Sequence, residues 1–458
     1  MNGALLARYD ATLQGLARKD RLRTLSPRAG LDFSSNDYLG LAGCKRLRDA
    51  VVAAIARGTP VGSTGSRLLR GNAPEHEELE AHAAAFFGAE RALFFGGGYI
   101  ANFALLTALP QKGDLIVLDE LAHASMHEGA RAGRAEFLLA AHNDVDAFED
   151  AIRRWRADGG MGRVWIAAES LYSMDGDCAP LESLVALADR HEAFIIVDEA
   201  QATGVWGADG RGLAVAFEGR DNILALHTCG KALGASGALV TGPRTLCDYL
   251  VNRSRPFIYA TAPSPLMAVA AREALAMLAD EPMRRVQLHE RIALAGRQLA
   301  ERCGIKPSGT QIQPVVIGDS RRTMAVAAAL QARGFDIRGV RPPTVPEGTS
   351  RLRISLTLNV DEAAISAMID ALVEALAQND QGDMTRGDMT RGDMTRGIVI
   401  TGTDTGIGKT VFRQASPACS TASIGSRCNR ASTRRRTARL LPGFPACRPD
   451  ASCRKFTV

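Results

Sequence analysis

Between residues 91 and 242, short apolar runs rich in β-branched and aromatic residues alternate with longer stretches whose apolar residues recur every three or four positions. The runs RALFF, LIVL, EFLL, RVWIAAES, FIIVD (Phe194 to Asp198), Ile223 to Leu226 and GALVTG predict strands. The stretches after GGGYIAN and after HASMHEGA, and the segment DVDAFEDAIRRWRA, predict helices between them. This alternation is the βαβ rhythm of a mostly parallel sheet covered on both faces, so the fold class is α/β.

The flanks read differently. Ala11 to Arg23 predicts a basic helix, and LDFSSNDYLGLAG then separates it from a helix over Lys45 to Arg57. That polar run has two readings, a pocket lining or a loop that caps the next helix. After the glycine/serine loop VGSTGSRLLRGN, Asn72 and Pro74 predict the start of a helix that Gly88 stops. Beyond residue 242 come a helix near Leu246 to Arg253, a break at Pro263 and Pro265, an alanine- and leucine-rich helix and a second one after Glu281. The units QPVVIG, SRRTMAVAAALQARG, FDIRGV, RLRISLTL and VDEAAISAMIDALVEALA then predict a smaller α+β portion. The expected organisation is an N-terminal arm (1–40), a large domain (41–262) and a small C-terminal domain (263–380), with a cleft between the two domains.

Two residues carry candidate chemistry. Asp198 ends a buried-type strand, at the carboxyl edge where α/β proteins hold ligands. Lys231 follows the next strand, among Gly230, Gly234 and Gly237, whose lack of side chains lets something bulky approach the backbone. A lysine and an acid at neighbouring strand ends suit pyridoxal phosphate, which needs an amine for a Schiff base and a carboxylate for its pyridine nitrogen. A surface lysine and a capping acid fit the same two residues. GGGYIAN follows a strand and opens a helix, so its N–H groups can hold a phosphate. Arg341, in the proline-stiffened RPPTVPEG, suits an anionic substrate group.

Composition narrows the class. With 458 residues, 46% hydrophobic and 23% charged, the chain has the profile of a folded protein, and no apolar run predicts a membrane helix or a signal peptide. Nine scattered cysteines without a CxxC pair predict neither disulfides nor zinc and fit a cytoplasmic protein. The net charge of +5 is local: residues 413–458 hold ten Lys/Arg and one acid, a charge of +9, which leaves −4 for the rest. The body is therefore no nucleic-acid binder by charge.

The ordered motifs SSNDYLG, GSRLLRGN, HASMHEGA, SMDGD, DEAQATGVWG, TCGKALG and RPPTVP resemble those of the α-oxoamine synthases, over roughly residues 5–378. The resemblance implies the type I aminotransferase-like fold, pyridoxal phosphate, and, in the branch that serves biotin synthesis, decarboxylative condensation of L-alanine with a pimeloyl thioester on coenzyme A or acyl carrier protein. Glycine C-acetyltransferases and 5-aminolevulinate synthases share these features and are the alternatives. By the same resemblance Lys231 is the Schiff-base lysine and general base, Asp198 the partner of the pyridinium nitrogen, and His123 the residue that stacks on the cofactor ring. Ser173 and Thr228 are implied as cofactor-binding hydroxyls, and the backbone of Gly98 and Tyr99 as the phosphate cradle. Asn36, Arg341, Thr344 and Arg23, with Arg21 as the second choice, are implied substrate contacts. Thr261 is implied to reach a phosphate in the other subunit of a homodimer with shared sites. One position departs: the family reads Asp-Glu/Asp-Ala-His where this chain has Asp198-Glu199-Ala200-Gln201, so an amide that cannot carry a proton charge faces the cofactor's phenolic oxygen. A low-activity or non-catalytic partner subunit is the reading that this substitution suggests.

Past the body, GDMTR repeats three times from Gly382 to Arg396, so that 381–397 predicts a linker. GIVITGTDTGIGKTVF (398–412 at its core) resembles the P-loop start of the dethiobiotin synthetases, a second link to biotin synthesis. Residues 413–458 lack hydrophobic periodicity and read as a disordered, frameshift-like tail.

Overall fold

The computed structural model describes residues 2–388; the expectations for the P-loop segment and the tail lie outside them. In chain order the elements are α1 (Asn2–Arg18), β1 (Leu31–Asp32), α2 (Lys45–Ala56), α3 (Pro74–Phe87), β2 (Arg91–Phe95), α4 (Gly98–Ala108), β3 (Leu115–Asp119), α5 (Ala124–Ala132), β4 (Glu136–Ala140), α6 (Val145–Ala157), β5 (Val164–Glu169), α7 (Leu181–Arg190), β6 (Phe194–Asp198), β7 (Ile223–Thr228), β8 (Ala238–Gly242), α8 (Arg244–Arg253), α9 (Arg255–Ile258), α10 (Pro265–Asp280), α11 (Met283–Cys303), β9 (Ile312–Gly318), α12 (Ser320–Ala332), β10 (Phe335–Asp336), β11 (Arg338–Val340), β12 (Ser350–Ser355) and α13 (Glu362–Asp388).

A seven-stranded sheet in the order β2-β8-β7-β6-β5-β3-β4 forms the centre. Only β8 runs antiparallel to its neighbours, β2 and β7. The alternation of side chains along buried strands sorts them between two faces. Ile116, Leu118, Trp165, Ala167, Ile196 and Leu224 pack towards α4, α5 and α8. Leu115, Val117, Val164, Ile166, Ile195 and Val197 pack towards α6 and α7. A three-stranded antiparallel sheet, β11-β12-β9, lies with α11, α12 and α13 in a further core that also takes in Phe33, Leu79, Phe94 and Leu275. α10, beyond the expected division at 262/263, packs on α2 and α3.

Four expectations need correction. The first helix spans Asn2–Arg18 and not Ala11 to Arg23, because Asp20 adopts a left-handed φ of 55° and the Arg21 N–H turns back to the Leu16 carbonyl at 2.8 Å. The N-cap of α3 is Ala73, not Asn72: the Ala73 N–H donates to His76 Nδ1 at 3.1 Å, while Asn72 donates to Glu77. HASMHEGA does not precede a helix but is one, capped by His123, whose Nδ1 accepts from the Ser125 N–H at 3.2 Å. Helix α13 also runs on through Asp388, past the expected start of the linker at 381. A helix already propagating crosses Gly382 and Gly387 at about 1 kcal/mol each.

The glycines around Lys231 are also reassigned. A Cβ on Gly234 (φ +61°) would lie 2.3 Å from Ala42 N, and one on Gly237 (φ +103°) 2.3 Å from the Phe94 ring. The chain itself, rather than a ligand, makes the close approach at both. Gly234→Ala is therefore expected to cost roughly 1–3 kcal/mol, read as a lower urea midpoint at an unchanged slope.

Candidate active site

The carboxyl ends of β3, β5, β6 and β7 bring Asp119, Glu169, Asp198 and Thr228 to one edge of the sheet, and the loop after β7 adds Lys231. Asp198 is buried, and its carboxylate is fixed on both oxygens: Asn102 Nδ2 donates to Oδ2 at 2.6 Å and the Ala200 N–H to Oδ1 at 2.9 Å. Asn102, on α4, also reaches Ser125 Oγ at 3.0 Å. Burial pushes the Lys231 ammonium below its ordinary range, Asp198 and Glu169 oppose this, and the Arg353 guanidinium adds to it. Burial and the neighbouring Asp198 drive Glu169 well above the usual carboxyl range. Burial thus works against charge on both Lys231 and Glu169.

His123 stands at the start of α5, with Nδ1 2.7 Å from Ser125 Oγ and Tyr99 edge-on to its ring at 6.3 Å between centroids. The protein around it and Lys231 lower its pKa, with Asp198 opposing, which favours the neutral ring. At the start of α4 a Cβ on Gly96 or Gly97 would meet nothing within 4 Å, and one on Gly98 would lie 3.6 Å from Thr228 Oγ1. The start of the helix, whose first N–H groups lack intrahelical partners, thus lies beside open space and the Thr228 hydroxyl.

The run SSNDYLG both holds the turn before α2 and lines the site: Asp37 Oδ1 accepts from the Leu41 and Ala42 N–H groups in the turn, while Asn36 and Tyr38 lie against Arg353 and Gln201. Its chain is held by the C-terminal elements, with the Ser355 N–H donating to the Phe33 carbonyl at 2.8 Å and the Leu358 N–H to the Tyr38 carbonyl at 3.0 Å. Tyr38 Oη bonds Gln201 Oε1 at 2.5 Å and Asn36 Oδ1 at 2.9 Å, and the Gln201 carbonyl accepts from Gln311 Nε2 at 2.6 Å.

Arg353, on β12, was not singled out from the sequence. It is 9% exposed, and its guanidinium donates to the Ser173 carbonyl (2.6 Å), Ser355 Oγ (2.7 Å), Asn36 Oδ1 (3.0 Å) and Tyr38 Oη (3.3 Å). All four partners are neutral. Two residues earlier on the same face, Arg351 has its acid, Asp175. A buried cation without a counter-ion is costly unless an anion arrives. Its signal in the sequence was present in RLRIS, two arginines at i and i+2 in an otherwise apolar strand.

The structure thus brings together Lys231, Asp198, His123, Gly98, Tyr99, Thr228, Asn36 and Gln201, with Ser173 joined through its carbonyl rather than its hydroxyl. Arg23, Arg341 and Thr344 form a second group. Arg23 donates to Thr344 Oγ1 at 3.0 Å, and Arg341 donates to the Leu22 carbonyl at 2.8 Å, so the N-terminal arm helps to hold that guanidinium. Arg21 is committed to Glu347 at 2.6 Å. Thr261 lies on an exposed stretch with Tyr259 and Ala260, and no hydrogen bond among the described residues ties it to either group.

Residues 28–372 match the family described as aminotransferase class I and II. Among curated proteins, 8-amino-7-oxononanoate synthase of Anaeromyxobacter dehalogenans is 42% identical over 384 residues, spanning 80% of this chain and 94% of that protein. The enzyme of the same name from Chromobacterium violaceum is 40% identical over 351 residues, spanning 76% and 89%. Among solved structures, 8-amino-7-oxononanoate synthase from Francisella tularensis aligns with a TM-score of 0.64 at 26% identity over 76% of this chain and 98% of that one. Serine palmitoyltransferase of Sphingomonas wittichii aligns with a TM-score of 0.73 at 26% identity over 82% and 97%. With its lysine and aspartate at one sheet edge and most of its length matched, the chain belongs to the class I and II aminotransferases.

Proposed function

We propose that the chain is a pyridoxal-phosphate acyltransferase that joins L-alanine to a pimeloyl thioester, on coenzyme A or acyl carrier protein, and yields 8-amino-7-oxononanoate, carbon dioxide and free thiol. The observation that carries this reading is the placing of Lys231, Asp198 and an unpaired Arg353 within charge reach of one another. The relatives named above support the substrate choice. The second link to biotin synthesis comes from the P-loop sequence after the repeat.

The residues fit the cofactor. Open space in front of Gly96 and Gly97, the first N–H groups of α4 at Gly98 and Tyr99, and the Thr228 hydroxyl suit its phosphate. Lys231 suits covalent attachment, His123 the ring face, and Asp198 the ring nitrogen. When bound, pyridoxal phosphate supplies an electron sink for the substrate's α-carbon. The other roles fall to the protein. Lys231, whose ammonium form burial disfavours, takes the proton from Cα of alanine. Arg353 holds the alanine carboxylate until it leaves as carbon dioxide, the role that an unpaired buried guanidinium supports. A bond forms between that Cα and the thioester carbonyl carbon as the carbon–sulfur bond breaks and the thiolate leaves to take a proton from solvent; the pair freed by loss of carbon dioxide then returns to Cα, which takes back a proton from Lys231. Asn36, Arg23, Arg341 and Thr344 are assigned to the substrates, and Ser173 and Gln201 to the cofactor's edge. Thr261, exposed here, is assigned to the cofactor phosphate of a second copy in a homodimer. No helix of the described residues is long and apolar enough to cross a membrane.

The test is product formation from L-alanine and pimeloyl thioester by the purified chain with pyridoxal phosphate, set against glycine with short acyl thioesters. Faster turnover of glycine would overturn the substrate assignment. Gln201→His should raise turnover, by up to about tenfold if one net hydrogen bond is restored in the transition state. The imidazole can keep the Tyr38 hydroxyl as donor and still present an N–H. An unchanged or lower rate would show that the pocket is built for the amide.

A further inference from the structure

Beside the site stands a cluster of charged residues that the reaction does not use. Asp119, at the end of β3 and 1% exposed, lies 2.9 Å from His142 Nδ1 through Oδ1. The opposite nitrogen, His142 Nε2, lies 2.8 Å from Asp177 Oδ2. Asn143 braces the same pair: its N–H donates to Asp119 Oδ2 at 2.9 Å and its Nδ2 to Asp177 Oδ2 at 2.7 Å. Tyr172 packs edge-on to the imidazole with centroids 4.4 Å apart. Burial opposes charge on His142, but the hydrogen bonds and charges of Asp119 and Asp177 outweigh it and raise its pKa to about 10.

Asp177 closes a turn. The Tyr172 N–H donates to the Asp177 carbonyl and the Gly176 N–H to the Tyr172 carbonyl, both at 2.9 Å, and Leu171 bridges Cys178. The tip of this turn is spent on the arginines of β12. Its Ser173 carbonyl takes Arg353 Nε at 2.6 Å, while Asp175 and the Met174 carbonyl take Arg351. The Gly176 carbonyl accepts from Thr310 Oγ1 at 2.9 Å. Asp177 has no other charged partner among the described residues, and its Oδ1 has no hydrogen bond.

We propose that His142 is a positioning residue for the amino-acid substrate: clasped between Asp119 and Asp177, it sets the 171–178 turn at the height where the Ser173 carbonyl aims Arg353. The inference rests on the reading that Arg353 holds the alanine carboxylate. Loss of the clasp leaves the turn tied to β3 through Asn143, which donates to Asp119, Asp177 and the Cys178 carbonyl, and leaves Lys231, Asp198 and the α4 cradle in place, so its effect falls on alanine and not on the cofactor. A charge-assisted double contact ties the turn more firmly than neutral bonds do.

The test uses full-length holoenzyme and four variants, His142→Ala, Asp177→Asn, Arg353→Lys and the double variant of His142→Ala with Arg353→Lys. The dissociation constant of L-alanine is read from the change in cofactor absorbance, alongside kcat, both KM values and the thermal midpoint. His142→Ala is expected to weaken alanine binding and raise its KM about tenfold, the size of one lost charge-assisted contact. The KM for the thioester and the affinity for the cofactor should move less than about twofold. Asp177→Asn, at the more exposed end of the clasp, should shift alanine in the same direction by less, and it carries the test should His142→Ala fail to fold. Arg353→Lys should weaken alanine in the parent and add little on top of His142→Ala. If Arg353→Lys leaves alanine binding intact, the role given to Arg353 falls. If it weakens alanine while both clasp variants leave alanine binding at the parental value, the proposal alone falls. A purely structural role is shown, and the proposal overturned, if the clasp variants lower the thermal midpoint and degrade alanine, thioester and cofactor binding alike.

Discussion

Lys231→Ala is expected to reduce turnover by about 10²–10⁴-fold or more, since it removes the base from the α-carbon proton transfer. The same change should abolish the visible absorbance of lysine-linked cofactor while leaving the cofactor bound without a covalent link. The argument is one of supply. The other lysines of the described residues, Lys19, Lys45, Lys112 and Lys306, are all exposed, so Lys231 is the only one of them that is half-buried and set beside Asp198. Absorption spectroscopy on the purified variant decides it, and a spectrum like that of the parent would remove Lys231 from its role. Added small amines should restore part of the rate, because the pocket that lowers the lysine's proton affinity remains when the side chain is gone.

Asp198→Asn is expected to lower kcat by roughly tenfold to a hundredfold, the value of a charge-assisted hydrogen bond traded for a neutral one at about 1.5–3 kcal/mol. The fold should survive, since the amide keeps an oxygen for the Ala200 N–H or for Asn102. Loss of the carboxylate also takes away the larger of the two acidic influences that hold the Lys231 ammonium up, so the amine should titrate at still lower pH. Steady-state kinetics across pH separates the two effects: the plateau rate drops, and the acid limb, where Lys231 takes up its proton, moves to lower pH. A parental plateau would take Asp198 out of the chemistry.

How much of this was legible in the sequence differs from element to element. FIIVD and LIVLD announced buried parallel strands because a strand covered on both faces is apolar at every position, and Asp198 stood out because it broke that rule at the end where ligands sit. The glycines near Lys231 were visible, yet what crowds them, Ala42 and Phe94, is set by long-range packing that no local pattern encodes. HASMHEGA is a weak local helix signal, since serine and histidine are poor helix formers, and tertiary packing of Met126 and Ala130 carries the segment into α5. Arg353 and Tyr38 escaped for another reason. Arg353 leaves only the trace of two arginines in RLRIS and Tyr38 sits inside the polar run SSNDYLG, while the contact between them is set by distant segments that meet only in the fold. The clasp of Asp119, His142 and Asp177 likewise joins the end of β3 to residues of two separate loops.

The parallel pairing of β1 with β10, Leu31 with Phe335 and Asp32 with Asp336, sets a timetable for the nascent chain. At a synthesis rate of roughly 5–20 residues per second, the strand that holds the start of the pocket wall emerges tens of seconds before its partner exists. In that interval the segment around Asn36 and Tyr38 has nothing to close upon, and Arg353 is still to be made. The wide sheet up to residue 242 is free to form first, since its strands pair among themselves. Closure of the pocket therefore comes last in the life of the polypeptide, and a chain released before residue 355 holds Lys231 and Asp198 without the guanidinium that gives them an amino acid to act on.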